Sequence, residues 1–270
     1  MIISLPQKIT FKKIAENNEQ AIIGPCYPGY GITIGNAIKR VMISSLEGGS
    51  VCAVKIKGVH HEFSTIPDVM EDVVEIILNL KQLSFKIHTD EQVKLTLEVS
   101  GKKEVKAKDI KTTSDVDLTD SDAHIATLTS AKAKIKMDIF VKKGRGYWPV
   151  EERVEDQNKE IGVIAIDSFF SPVEKVGLNI ENVRVEQMTN YENIILDIKT
   201  DGTITSQEAL KKSVKILIEQ FNFVSDNIKI EDEKKKQKKT IEKKIKKKDK
   251  TVDKKATIKK NPPAGGKAKK

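Results

Sequence analysis

Residues 29–46 read GYGITIGNAIKRVMISSL, a glycine-punctuated turn running into an amphipathic helix. Apolar residues at Ile34, Ala37, Ile38, Val41, Met42 and Leu46 recur with the i, i+3, i+4, i+7 spacing of one buried helix face. Thr33 stands where an N-cap oxygen is wanted, and Glu47-Gly48-Gly49 supplies the stop. The opposite face carries Asn36, Lys39, Arg40 and Ile43, an aliphatic residue beside a cationic pair. A solvated face with one stray isoleucine would read the same way, since single exposed apolar residues are ordinary. The sharper expectation is a helix gripped on two sides, by its own core and by a partner. The glycines do not make a phosphate loop. Gly35 is followed by Asn36 rather than by the Lys-Ser/Thr of a Walker turn, and Gly29, Gly31 and Gly35 are too widely spaced for a dinucleotide turn.

Upstream, residues 1–28 read as one or two edge strands closed by Gly24-Pro25 and Pro28-Gly29. Downstream, a strand over Ser50–Lys57 leads to a second helix. Ser64 or Thr65 is its expected cap, Pro67 lies in its first turn, and Val69, Met70, Val73, Ile77 and Leu80 form its apolar face. From Leu83 to Val141 the period becomes two. Val93, Leu95, Leu97 and Val99 alternate with polar residues, as do Ile135, Met137, Ile139 and Val141, which predicts antiparallel sheet with one wet face. Loops are expected at 111–123 and 143–149, and strands at Ile161–Ile166, Val183–Val185 and Tyr191–Ile198. Thr205 and Glu208 then form a capping box. The helix they open carries Leu210, Val214, Leu217, Phe221 and Val224 in 4, 3, 4, 3 steps, beside a second stripe of Ala209, Ile216 and Phe223. Two stripes serve either a well-buried helix or a helix shared between its own sheet and a second copy of the chain.

Charge is unevenly placed. Residues 231–270 hold 18 Lys against 6 Asp or Glu, a net of +12, which leaves 30 basic and 33 acidic residues, a net of −3, in 1–230. The basic character therefore belongs to the tail, which has no apolar periodicity and is expected to be disordered. Two cysteines, Cys26 and Cys52, allow no disulfide framework, so reduced thiols are expected. No secretory leader and no apolar run of membrane-spanning length is legible, and the reading is a soluble, cytoplasmic protein without a membrane contact.

Chemistry-bearing motifs are sparse. His60-His61-Glu62 is the one metal-like cluster, but adjacent strand residues face opposite ways and no thiol pair supports them. His88 and His124 stand alone, and neither a nucleophile elbow nor an aspartate-rich metal loop is present. No metal site, no catalytic residue and no cofactor is expected on this chain. Gly144-Arg145-Gly146-Tyr147 reads as a turn presenting an arginine, to protein rather than to nucleic acid.

The 29–46 segment, with GVHHEFSTIPDVMEDVVEIILNLK at 58–81 and DSFFSPVEKVGLNIENVRVEQMTNYENIILDIKTDGTI at 167–204, resembles the bacterial RNA polymerase alpha-subunit family, in the same order and over about residues 1–225. The resemblance implies an α+β fold of two subdomains. Residues 1–48 and 174–230 would form a helix-plus-sheet dimerisation subdomain, with a mostly β subdomain, 49–173, inserted and in contact with the large subunits. The family's role is a non-catalytic scaffold: a homodimer on which the beta and beta-prime subunits assemble for template-directed nucleotidyl transfer. Carried over residue by residue, Asn36, Lys39, Arg40, Ile43 and Lys81 would meet a large subunit. The dimer would use Ile34, Ile38, Val41, Met42, Leu210, Val214, Leu217 and Phe221. The sequence departs from the family at Lys39, usually a second arginine, and loses the planar fork there. It departs again after residue 230, where a lysine-rich tail stands in place of a helical domain that binds upstream promoter DNA. Only non-specific DNA contact is expected of that tail. The implied setting is cytoplasmic and nucleoid-associated, with a plastid left open. Two rivals from other classes are a stand-alone nucleic-acid-binding module acting through the tail and a metal hydrolase centred on His60 and His61.

Overall fold

The structure is a computed structural model that describes residues 3–152 and 162–228; the tail from 231 and most of the charged run 151–160 lie outside the described residues. The chain divides into two compact units, Met1–Ile218 and Glu219–Lys270. In chain order the elements are β1 (Lys8–Ala15), β2 (Asn18–Cys26), α1 (Tyr30–Ser44), β3 (Glu47–Ile56), α2 (Val73–Lys81), β4 (Phe85–Ile87), β5 (Val93–Ser100), β6 (Lys103–Lys106), β7 (Ile110–Lys111), β8 (Val116–Leu118) and β9 (His124–Leu128). They continue with β10 (Lys134–Arg145), β11 (Tyr147–Trp148), β12 (Val163–Ala165), β13 (Ser168–Phe169), β14 (Val173–Val185), β15 (Met188–Thr200) and α3 (Ser206–Asn227). The fold class is α+β, as the sequence implies.

The first unit has two hydrophobic cores. One lies on an antiparallel sheet ordered β1-β2-β15-β14. Pairing Ala21 with Leu196 and Ile23 with Ile194 puts these residues on one face, where they pack with Ile38, Met42 and Leu46 and with Ala209 and Leu210 of α3. Helix α1 crosses β14 and β15 very closely. A Cβ on Gly35 would stand 2.7 Å from Leu178 Cδ1 and 3.2 Å from Ile194 Cγ2, and one on Gly31 would stand 2.6 Å from Glu192 Oε2. The glycines one turn apart are thus contact points with the sheet.

The start of α1 corrects the expected cap. Thr33 is inside the helix, and Gly29 holds the N-cap position with φ of 83°, a conformation glycine adopts without a steric penalty. The N–H groups of Gly29 and Gly31 donate to the two carboxylate oxygens of Glu192 on β15, at 3.0 and 2.8 Å. A residue 161 positions away does the work assigned to a neighbour. Two strand expectations change for related reasons. β2 runs through Gly24-Pro25 and is interior, between β1 and β15. β14 begins at Val173, ten residues ahead of the 183–185 segment; bulges near Val173 and Val183 interrupt the alternation that would have revealed it.

The second core fills a seven-stranded sheet, β7-β5-β10-β3-β4-β8 with β12 joined to β3. Ile135, Met137, Ile139 and Val141 of β10 and Leu95 and Leu97 of β5 are buried, as their alternation requires. Helix α2 covers them with Val73, Ile76 and Leu80. It is shorter than expected. Asp72 caps it by accepting the Glu75 N–H at 2.8 Å, while Pro67 and Met70 precede it. The approach segment pairs with the β9 region instead: Met70 N–H donates to the Thr127 carbonyl and Thr129 N–H to that of Asp68. Those bonds occupy groups that a longer helix would need. Nor is 143–149 a loop, for β10 continues to Arg145, opposite Glu47 of β3. The capping box at Thr205 and Glu208 forms as read, with Glu208 N–H on Thr205 Oγ1 at 3.2 Å.

Of the second unit, residues 219–228 are described; they hold the last turns of α3, with Phe221, Phe223 and Val224 exposed.

Replacing Glu192 by alanine removes the acceptor of two helix-end donors and is expected to lower unfolding free energy by about 1 kcal/mol in a denaturant titration, the usual worth of a cap. An unchanged midpoint would show that the carboxylate is dispensable. At the β3 end, the Arg145 and Lys143 side chains hold the Glu47 carboxyl below its ordinary range. Its contribution is therefore complete above the unfolded pKa and is lost as pH falls through the depressed folded value. Glu47→Gln is expected to cost less than about 1 kcal/mol at neutral pH, because the pair is exposed. The gap to the parent should close below about pH 4, read from melting curves across pH.

Candidate functional site

The outer face of α1 is open. Asn36, Arg40 and Ile43 are exposed and Lys39 is half-buried, so the four residues singled out by pattern do share one face of the folded helix. Among the described residues, neither the Lys39 nor the Arg40 side chain has a hydrogen-bond or ion-pair partner. The flank of the same helix, Ile34, Ala37 and Val41, is only partly buried, whereas Ile38 and Met42 are consumed by the first core. On α3, Leu210 is buried, Val214 and Leu217 are partly buried, and Phe221 is exposed. The dimer set therefore separates into residues already covered within the chain and residues that still offer apolar surface.

Lys81 is differently situated. It ends α2, where a cation suits the helix dipole, and its ammonium lies 3.6 Å from Asp167 Oδ2. The other oxygen of Asp167 accepts the Val150 N–H at 3.0 Å. Beside this pair is a cleft of about 370 Å³ lined by Phe63, Ile77, Leu78 and Glu151. Tyr147, on β11, also reaches Asp167: desolvation, the aspartate charge and its hydrogen bond together push the phenol pKa up. Arg145 is no free arginine on a loop, being paired with Glu47, which also holds Lys143 at 3.2 Å. Lys142 lies over the Trp148 ring at 5.1 Å.

The histidines are placed otherwise than expected. His60 and His61 lie in an irregular segment, with His61 hydrogen-bonded to Ser64 at 3.1 Å. Among the described residues no group of three His, Cys, Asp or Glu side chains is arranged to hold a metal. His124 is not isolated, since its two ring nitrogens meet Glu71 at 3.0 Å and Glu104 at 3.2 Å, and His88 meets Asp117 at 3.0 Å. Cys26 and Cys52 are buried and unbridged, and burial raises the Cys26 thiol pKa. Among the described residues no helix is long and apolar enough to cross a membrane.

The sequence reading missed Phe63, Leu78, Tyr147, Asp167 and Phe169. The exposed apolar members look like core residues by type, and only their surroundings distinguish them.

Against this geometry, the RNA polymerase Rpb3/RpoA insert domain family matches residues 54–171. The chain is 45% identical over 239 residues to the DNA-directed RNA polymerase subunit alpha of Symbiobacterium thermophilum, covering 84% of this chain and 74% of that protein. It is 44% identical over 217 residues to that of Oceanobacillus iheyensis, covering 80% and 68%. With the subunit from Salinibacter ruber it shares 41% over 232 residues, covering 86% and 69%. A motif in three ordered blocks, an α+β fold with the matched insert, and identity sustained over most of both sequences lead to one conclusion: the chain belongs to the alpha-subunit family of DNA-directed RNA polymerase.

Proposed function

We propose that this polymerase subunit is the assembly scaffold of its enzyme, pairing with a second copy of itself and binding the large beta and beta-prime subunits. The observation that carries this reading is the two-sided character of α1. Its inner face is spent on the first core, while Arg40 and Ile43 stand in water with no intrachain partner among the described residues. An unpaired arginine beside an aliphatic residue suits a protein partner that brings a carboxylate. The residual apolar flank of α1 and the stripe of Val214, Leu217 and Phe221 support self-association, with 1–48 and 174–230 as the dimerisation subdomain and 49–173 as the inserted one. The nucleotidyl-transfer chemistry then resides in the large subunits, and this chain needs no cofactor. The tail adds salt-dependent, non-specific DNA contact, consistent with a cytoplasmic, nucleoid-associated enzyme.

Two substitutions test the reading separately. Leu217→Glu places a charge in the proposed seam and is expected to give monomers on sizing, since an unpaired buried charge costs several kcal/mol, on the order of 3–5; a persisting dimer would discard this interface. Arg40→Ala is expected to leave the dimer intact and to weaken capture of purified large subunits about 10-fold or more. Undiminished capture would remove Arg40 from the contact.

A further inference from the structure

Between Arg40 and Lys81 lies a surface made by neither helix. β11 and β13 form a two-residue antiparallel ladder that pairs Tyr147 with Phe169 and Trp148 with Ser168. Directly opposed residues project from the same face, so the Tyr147 and Phe169 rings are neighbours. Each leaves more than half of its surface in water, 58% and 54%. One end of the ladder abuts α1. Gly146, with φ of 64°, sits so that a Cβ there would be 3.6 Å from the Ser44 carbonyl, one residue beyond Ile43. The other end is anchored by Asp167, which holds both the Val150 N–H and Lys81. Beyond it the cleft exposes Phe63 and Leu78 at 81% and 51%.

We infer that Tyr147 and Phe169 form the apolar centre of one continuous docking surface running from Arg40 and Ile43 to Leu78 and Phe63, and that its occupant is an apolar segment of a large polymerase subunit bearing a carboxylate. This deepens the large-subunit reading above and rests on it. Charge identifies the occupant: Lys39 and Arg40 offer cations without intrachain acids among the described residues, so the partner supplies the acid. At the far end the cleft is lined by Glu62, Glu151 and Asp167, a setting that repels a nucleic-acid backbone. Lys81 is satisfied by Asp167 and acts as a positioning residue that holds the ladder against α2. The ladder is hydrogen-bonded in place, so docking two rings on it loses little freedom, and aromatic and arginine side chains are the types that dominate such contacts.

The test uses the full chain, with purified beta and beta-prime subunits of the same polymerase titrated against it. Tyr147→Thr and Phe169→Thr keep strand-forming residues at both positions. Each is expected to weaken binding by about 3- to 10-fold and the pair by about 30-fold or more, with dimer size and melting temperature unchanged. Phe169→Glu is expected to bind more weakly than Phe169→Lys, since a new carboxylate would face the partner's own. Equal binding by the two would overturn the acidic occupant. If Arg40→Ala weakens binding while the double threonine variant does not, the ladder lies outside the contact and this inference fails although the large-subunit reading stands. If neither weakens it, the large-subunit reading fails as well.

Discussion

Helix α1 can lie where it does only because Gly31 and Gly35 present no side chain to β14 and β15. Every atom added at Gly35 would intrude on Leu178 or Ile194, and one added at Gly31 on Glu192. This close approach brings the carboxylate of Glu192 within reach of the helix's orphan N–H groups, so that packing and capping depend on each other. It also fixes the rotation of the helix. With the glycine row turned to the sheet, Ile38 and Met42 enter the core, and Asn36, Arg40 and Ile43 must face outward. The exposed cationic face is therefore a consequence of where the glycines are.

The exit from α1 shows a similar dependence. β3 starts three residues after the helix ends and passes through Gly48 and Gly49, with Phe170 and Phe85 packed against those glycines. Gly144 on the neighbouring strand lies under the Phe170 ring, so Phe170 is held by glycines from two strands. Its neighbour Phe169 points the other way, as strand alternation demands, and is left in solvent next to Tyr147. A core residue and a surface aromatic thus follow from one another. For a subunit of a multisubunit polymerase, such rigid presentation limits the freedom lost on assembly.

Electrostatics arranges these parts more than it stabilises them. The pairs Glu47 with Arg145 and Lys81 with Asp167 are both partly solvated, and each alone is worth little. Their positions matter because they pin the two ends of β11 and β13 to β3 and α2. Glu71 is tied more firmly, accepting the Thr127 N–H while facing His124, and it draws the approach to α2 onto β9. That tether explains why a segment with helical spacing from Val69 onward does not become helix until Val73.

Local periodicity was enough to read the existence of α1 and α3, the alternation of β5 and β10, the Thr205 and Glu208 cap, and the outward group of Asn36, Arg40 and Ile43, because each depends on neighbours within a turn or two. It was not enough for the Glu192 cap, the short α2, the full length of β14 or the ordered strand at Gly144-Arg145, because in each the partner lies tens to more than a hundred residues away. Nor could residue type distinguish the buried Phe170 from the exposed Phe169. The amino-acid order settles which faces are apolar and which family the chain joins. Which apolar residues remain uncovered, and which distant strands set Tyr147 between Arg40 and Lys81, only the folded packing decides, since exposure is a property of what lies opposite.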